Sequence, residues 1–233
     1  MKILAVDSSG LVASVAIVED DNLIVEYTVN YKKTHSQTLL PMLDEIVRMT
    51  ETDLSSVDAI AVAKGPGSFT GLRIGASTVK GLGFALDKPV IGVPTVEGLA
   101  MNLYDLNALI CPIMDARRNQ VYTGLYRFRD HELQVVKDQL PIAVEELIET
   151  LNTLGEDVVF LGDGVPVYES VIREKIQVPY SFAPAHVNKQ RASAIAVRAF
   201  AYWKSGLYDN ADDFVPEYLR VSQAERERAN NNR

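Results

Sequence analysis

The residues with the most chemical potential in this chain sit where apolar runs stop. The run 59–63 ends in Lys64-Gly65-Pro66-Gly67-Ser68-Phe69-Thr70-Gly71, after which Leu72-Arg73-Ile74-Gly75 opens a helical pattern. A buried strand, a tight loop and a helix capped by Ser68 or Thr70 form a junction where free amides and the helix dipole favour a phosphate. The glycines carry a second reading: Gly65 and Gly67 around a φ-fixed proline suit a sharp reversal whatever binds there. The spacing excludes a Walker loop, which needs Gly-Lys-Ser/Thr, and a dinucleotide fingerprint. Two further runs stop at acids. Ile3-Leu4-Ala5-Val6 ends at Asp7-Ser8-Ser9-Gly10, and the run 109–114 ends at Asp115-Ala116-Arg117.

Metal and nucleophilic chemistry find less material. Cys111 stands alone in an apolar run before Pro112 and reads as core; a single cysteine suits a reducing compartment. His35 opens a predicted helix and reads as a capping or surface residue, with His131 and His186 far from it in sequence. The net charge of -8, from 31 acidic against 23 basic residues, opposes independent binding to a nucleic-acid backbone. Lys32-Lys33 and Arg117-Arg118 are too few to reverse it. No apolar run reaches the ~18 residues of a membrane span, and Asp7 follows Met1 too soon for a signal-peptide core. The sequence reads as that of a cytosolic protein.

The elements that must position these residues follow from periodicity. Short apolar strands over 3–6, 12–18 and 23–29, the latter two joined by the turn Asp20-Asp21-Asn22, predict a meander. A helix follows with Leu39, Leu40, Leu43, Ile46 and Val47 on one face, and Pro41 is expected to bend it or mark its first full turn. Then come the strand, loop and helix of the glycine-rich junction, a strand over 90–93 and a helix over 95–104. A similar pattern begins again at Ala108: strands over 109–114, 121–128 and 133–136, a helix over 144–154, a strand over 158–161, the turn Gly162-Asp163-Gly164 and a helix over 167–176. An alanine-rich helix over 192–202 closes the pattern and is expected to cross back to the first half. At 233 residues the chain can bury roughly three quarters of its unfolded surface, so it needs no staples. The expected division is a first lobe over 1–105, a second over 106–220 and a mobile tail over 221–233.

In the helix after the junction, Gly71, Gly75 and Gly83 lie on one face with Val79 between them. Each glycine costs about 1 kcal/mol relative to alanine, so the face needs a compensating close approach by another segment. Taken alone, the helix favours a partner inside the same chain.

Two βββαβα lobes, each with an acid closing its first strand, resemble the sugar kinase, Hsp70 and actin superfamily, whose fold is the two-lobed, ribonuclease H-like α/β class. Within it, Lys64 to Gly75 resembles the signature of the TsaB (YeaZ) proteins. The stretches His35-Ser36-Gln37-Thr38-Leu39-Leu40-Pro41, Asp115-Ala116-Arg117-Arg118-Asn119-Gln120-Val121-Tyr122 and Pro216-Glu217-Tyr218-Leu219-Arg220 fit the same family in the same order.

The resemblance implies a non-catalytic subunit in the making of threonylcarbamoyladenosine next to the anticodon of tRNAs that read codons beginning with A. Such a subunit pairs with the related catalytic subunit TsaD and works with the ATPase TsaE, and meets tRNA only through the complex. It further implies no tightly bound cofactor and no metal, since the His-x-x-x-His pair of TsaD-like proteins reads His35 and Leu39 here. ATP or ADP at the boundary with TsaD, and a homodimer in isolation, stay open. Asp7, Ser8, Ser9, Asp115, Gly162 and Gly164 become a vestigial nucleotide site, with Asp163 set to repel phosphate. The resemblance also reverses the preference for an internal helix partner. Leu39, Leu43 and Ile46 become ridges, and Gly71, Gly75 and Val79 a groove, at a helix contact with TsaD. The competing class is an autonomous kinase-like or glycoprotease-like enzyme of the same fold. A kinase would need intact phosphate hairpins and a carboxylate base, for which Asp7 and Asp115 are candidates; a protease would need a nucleophile with its base or metal.

Overall fold

The computed structural model describes residues 1–31 and 34–220; Lys32-Lys33 and the tail over 221–233 lie outside the described residues. The chain runs β1 (Lys2–Asp7), β2 (Ala13–Glu19), β3 (Asn22–Val29), α1 (His35–Thr50), β4 (Ala59–Gly65), α2 (Phe69–Leu86), β5 (Val90–Pro94) and α3 (Thr95–Met101). It continues with β6 (Leu109–Asp115), β7 (Gln120–Arg129), β8 (Glu132–Ala143), α4 (Val144–Leu154), β9 (Val158–Leu161), α5 (Val165–Lys175), β10 (Tyr180–Phe182) and α6 (Ala192–Lys204).

Two five-stranded sheets result, ordered β3-β2-β1-β4-β5 and β8-β7-β6-β9-β10. β1 pairs antiparallel with β2 and parallel with β4, as β6 does with β7 and β9. Asp7 and Asp115 therefore end the central strand of each sheet, in equivalent places.

Alternation within the strands decides the layers. Leu4, Val6, Ile60 and Val62 face α1 and α2, while Ile3, Ala5, Ala59, Ala61 and Ala63 face Ala192, Ile195, Ala196 and Ala199 of α6. The alanines on both sides let α6 approach the sheet closely. In the second half, Cys111, Ile113 and Phe160 pack under α4 and α5, and Ile110, Met114, Tyr126 and Leu161 pack under Val96, Leu99 and Ala100 of α3. The last helix of each half thus covers the sheet of the other. The layers run α1 and α2, first sheet, α6 with α3, second sheet, α4 and α5.

α3 and α6 meet where Gly98 would place a side-chain carbon 2.3 Å from Ile195 Cδ1. Beside that contact, Glu97 accepts from Arg198 Nε at 2.6 Å and from the Tyr202 hydroxyl at 3.1 Å. Both charges are largely buried, and buried ions persist when paired and hydrogen-bonded.

Several elements differ from expectation. β8 continues to Ala143, because Lys137, Asp138 and Pro141 interrupt the apolar alternation without ending the pairing with β7. β10 is three residues long, too short to register in periodicity. α3 stops at Met101; Pro41, expected to bend α1 or mark its first full turn, sits inside α1 on its exposed side.

The expected partner face is corrected. Leu39, Leu43 and Ile46 are buried against the chain's own first sheet, as is Val79. A side-chain carbon at Gly71 would lie 2.1 Å from the Ser8 carbonyl oxygen, and one at Gly75 would lie 2.6 Å from Ser8 Oγ. The glycine face receives the turn after β1, so none of these six residues is available as a surface ridge or groove.

Candidate functional site: the cleft between the sheets

The central strands deliver Asp7 and Asp115 towards a cleft whose walls are the turns that follow. Asp7 Oδ1 accepts from Ser9 N at 2.9 Å and from Ser9 Oγ at 2.6 Å, and Ser8 Oγ donates to the Gly71 carbonyl at 2.9 Å. Ser68 N donates to the Ser9 carbonyl at 2.7 Å, and Ser68 Oγ caps α2 by accepting from Gly71 N at 3.3 Å. The turn of β1 and the glycine-rich junction are therefore knitted together, which brings the predicted Asp7, Ser8, Ser9 and Gly71 into one cluster.

The second-lobe residues follow the same rule. Asp115 Oδ1 accepts from Arg117 N at 2.8 Å and from the Tyr168 hydroxyl at 3.0 Å. Gly162 N donates to the Asn188 carbonyl, and Gly164 N to the Ile113 carbonyl, both at 2.9 Å. Gly162 has φ 104°, and a side-chain carbon there would lie 2.2 Å from Ile113 O. Here glycine serves close packing on β6.

Electrostatics disfavour a phosphate. Burial pushes the Asp7 carboxyl up to about 6, against the opposing pull of the Ser9 hydrogen bonds and His35, with Asp163 adding repulsion. Asp163 is also raised, first by burial, with Asp115 contributing repulsion. Asp163 thus repels both Asp7 and Asp115, with Lys189 opposing the rise at Asp163, so the turns present acidic charge to one another.

The Ser8 and Ser9 hydroxyls are committed within the chain, and His35 is committed through one ring nitrogen, its Nδ1 being buried without a partner among the described residues. His35 Nε2 lies 2.9 Å from the Gly10 carbonyl and donates to it, and His131 pairs with Asp105 on the surface. Leu39, four residues after His35, is core, so one imidazole faces this side of α1. Among the described residues no group of three or more His, Cys, Asp and Glu is placed to hold a metal ion. Cys111 is fully buried, its thiol pushed up to about 12 by burial.

Sequence reasoning missed the segment that fills the cleft from the second half. Gln190 is 1% exposed and packs on Gly10, with neither amide atom paired within the protein. Arg191 pairs with Glu26, which also accepts from Ser193 N at 3.0 Å, and Asn102 Nδ2 donates to the carbonyls of Val187 and Lys189. Nothing in the sequence around Gln190 signals this. The Pro216–Arg220 motif was legible, and its place now is too. Glu217 N donates to the Lys64 carbonyl at 2.7 Å, the Tyr218 ring packs 4.5 Å from Phe69, and Arg220 reaches the Ala116 carbonyl at 2.6 Å.

Away from the cleft, a cavity of about 820 Å³ is lined by Leu23, Met101, Tyr104, Val197, Phe200 and Trp203 among others; no cleft aspartate lines it. The outer side of α1 and α2 exposes Leu40, Met49 and Phe84, the last at 76%. Gly81 lies on that side with no atom within 4 Å of where a side-chain carbon would be. Internal packing accounts for Gly71, Gly75 and Gly83, but not for Gly81.

The family described as "TsaD: tRNA N6-adenosine threonylcarbamoyltransferase" matches residues 23–228. A Bacillus subtilis protein named tRNA threonylcarbamoyladenosine biosynthesis protein TsaB is 35% identical over 97% of this chain and 96% of its own length. The Escherichia coli protein of the same name is 28% identical over 96% of each. Among solved structures, one from Pseudomonas aeruginosa described as an uncharacterized protein with similarity to peptidase YEAZ superposes with a TM-score of 0.81 at 29% identity, covering 94% of this chain and 99% of that one. YeaZ from the same organism gives 0.78 at 27% identity, with the same coverage.

Proposed function

The chain belongs to the TsaB (YeaZ) family, and we propose that it acts in threonylcarbamoyladenosine biosynthesis as a non-catalytic subunit that pairs with a TsaD-type protein. The observation that carries the non-catalytic reading is the fate of the turn amides. Ser9, Ser68, Gly71, Ala116, Arg117, Gly162 and Gly164 each donate within the chain. Phosphate-binding turns work by leaving such amides free for the ligand. The acids above them add to the mismatch, Cys111 is buried with its thiol protonated, and Ser9 has Asp7 beside it but no histidine to relay its proton. An autonomous kinase or peptidase is the poorer fit, although one neighbour's description mentions a peptidase.

Pairing, with TsaE as a further member of the assembly, fits the outer side of α1 and α2. Leu40, Met49 and Phe84 expose apolar area there, and Gly81 spends helix propensity on a surface with no internal neighbour. A second helix could approach closely at Ser77 and Gly81, as small residues allow. Acting on tRNA places such an assembly in the cytoplasm. No described helix is long and apolar enough to cross a membrane.

The test is Gly81→Leu. The leucine has open space, so the variant should melt no lower than the parent, fail to co-elute with a TsaD-type partner, and fail to restore threonylcarbamoyladenosine to tRNA in cells depleted of the chain. Robust ATP or peptide hydrolysis by the purified chain alone, lost in Asp7→Asn, would instead make it an enzyme in its own right. Normal pairing and modification by Gly81→Leu would remove this surface from the interface.

A further inference from the structure

The chain carries a net charge of -8, yet at the mouth of the cleft its cations lack compensation. Arg117, Arg118 and Asn119 take left-handed φ values of 64°, 58° and 56° in succession, and all three are exposed. Arg117 is held by Asp115 at 3.4 Å, whereas Arg118 has no carboxylate partner among the described residues. From there a strip continues contact by contact. Arg220 lies on the Ala116 carbonyl, Tyr218 two residues earlier packs on Phe69, and the Arg73 guanidinium lies over the same Phe69 ring at 4.0 Å. Neither Arg220 nor Arg73 is ion-paired among the described residues. Of the neighbouring acids, Glu217 is engaged by Lys64 at 3.4 Å and Asp115 by Arg117 and the Tyr168 hydroxyl, while Asp163, beside Asp115, has Lys189 as its nearby cation.

Three uncompensated guanidiniums around a half-exposed aromatic pair form the combination that suits an unpaired nucleic-acid strand. Cations follow the phosphates, and an aromatic face accepts a base. An acidic peptide would satisfy the arginines but make no use of the exposed Tyr218 ring, which Phe69 backs on its inner side. We propose that Arg73, Phe69, Tyr218, Arg220 and Arg118 form a direct contact site for an unpaired segment of RNA on this chain. The overall acidity makes the contact weak in isolation and confines it to the strip. The proposal deepens the function proposed above and rests on it only for the choice of a transfer RNA as probe.

The experiment is fluorescence anisotropy of a labelled, unmodified transfer RNA titrated with the full chain, at low salt and at tenfold higher salt. Three phosphate contacts to a single strand predict that binding weakens about 100-fold over that range. Arg118→Glu is expected to weaken low-salt binding about fivefold or more, and Tyr218→Ala about tenfold if a base stacks there. Arg129→Glu, an exposed cation at the far end of β7, serves as the charge control and is expected to change affinity less than about twofold. Melting curves for each variant establish that it is folded. Absence of low-salt binding by the parent, equal weakening by the control, or unchanged binding by both strip variants overturns the proposal. So does an acidic peptide that binds the strip while the RNA does not. Cells carrying the variants separate the two readings. If strip variants bind RNA as the parent does and the chain is still needed for modification, the site falls and the function stands. If the strip binds RNA and depletion of the chain leaves threonylcarbamoyladenosine unchanged, the function falls and the site stands.

Discussion

Alanine at Gly75 and alanine at Gly81, six residues apart on α2, are expected to move stability in opposite directions. At Gly75 a methyl group would sit 2.6 Å from Ser8 Oγ, which is buried and donates to the Gly71 carbonyl. Relieving the overlap by displacing the turn after β1 costs about 1–3 kcal/mol. Leaving the buried Ser8 hydroxyl without its acceptor costs about 1–3 kcal/mol more. Alanine returns about 1 kcal/mol of helix propensity. The net loss, about 3 kcal/mol, should lower the melting temperature by about 6–12 °C in a chain of this size. At Gly81 nothing lies within reach, so only the propensity gain applies and the melting temperature should rise by about 2–4 °C. Thermal unfolding followed by circular dichroism, with urea titration as a second measure, reads both. A Gly75→Ala variant as stable as the parent would mean that the turn after β1 does not press on α2. A destabilised Gly81→Ala would mean that the outer side of α2 is already covered within the chain.

Asp7 supplies a pH test. Its carboxyl lies above its unfolded value of 3.8, at about 6, so the folded state binds the proton more tightly. The associated stability is present below pH ~4 and is lost as the pH rises through about 6, which makes Asp7→Asn more stable than the parent at pH 8 by up to about 3 kcal/mol. The advantage should shrink towards pH 4.5 in melting curves; a constant difference would sink the buried-charge account. Removing the charge of Glu97 strands Arg198 beside Tyr202, so Glu97→Gln should cost about 3 kcal/mol, and a neutral result in urea titration would deny that the α3–α6 pair is buried and paired. Cys111 should react with a thiol reagent only after unfolding, and stoichiometric labelling of the native protein would contradict its burial.

The repeat was legible because a short apolar strand closed by an acid opens each half, at Asp7 and again at Asp115, and is followed by two further strands. Ala59-Ile60-Ala61-Val62-Ala63 states which residues meet an alanine-rich helix and which meet larger side chains, and Asp7 and Asp115 mark matching strand ends. Helix facing was harder. α2 carries small residues on two sides, Gly71, Gly75 and Gly83 on one, Ser77 and Gly81 on the other, and periodicity alone does not say which side meets the sheet. What decides it is the turn after β1, sixty residues away in sequence, whose Ser8 presses on Gly71 and Gly75. The long-range contacts of the cleft, Gln190 packed on Gly10 and Arg220 on the Ala116 carbonyl, were invisible for the same reason. Each joins residues whose neighbourhood is set by how the two halves stack, and no local pattern encodes that.

The exchange of the last helices has a consequence for how the chain is made. The first sheet is complete in sequence by Pro94, but the helix that covers its alanine-lined side begins only at Ala192. During synthesis Ala5, Ala16, Ala61 and Val93 must wait, with one side of a finished sheet open to water, until nearly the whole chain has emerged. The second sheet does not wait in this way, because α3 precedes it and lies ready for Ile110, Met114 and Tyr126. A ribosome that stalls after β10 would leave a nascent chain with one half closed and the other half a target for chaperones, since exposed apolar sheet surface is what they bind. The final step of assembly would then be a late, C-terminal clasp, in which α6 slides between the sheets and Arg191 finds Glu26.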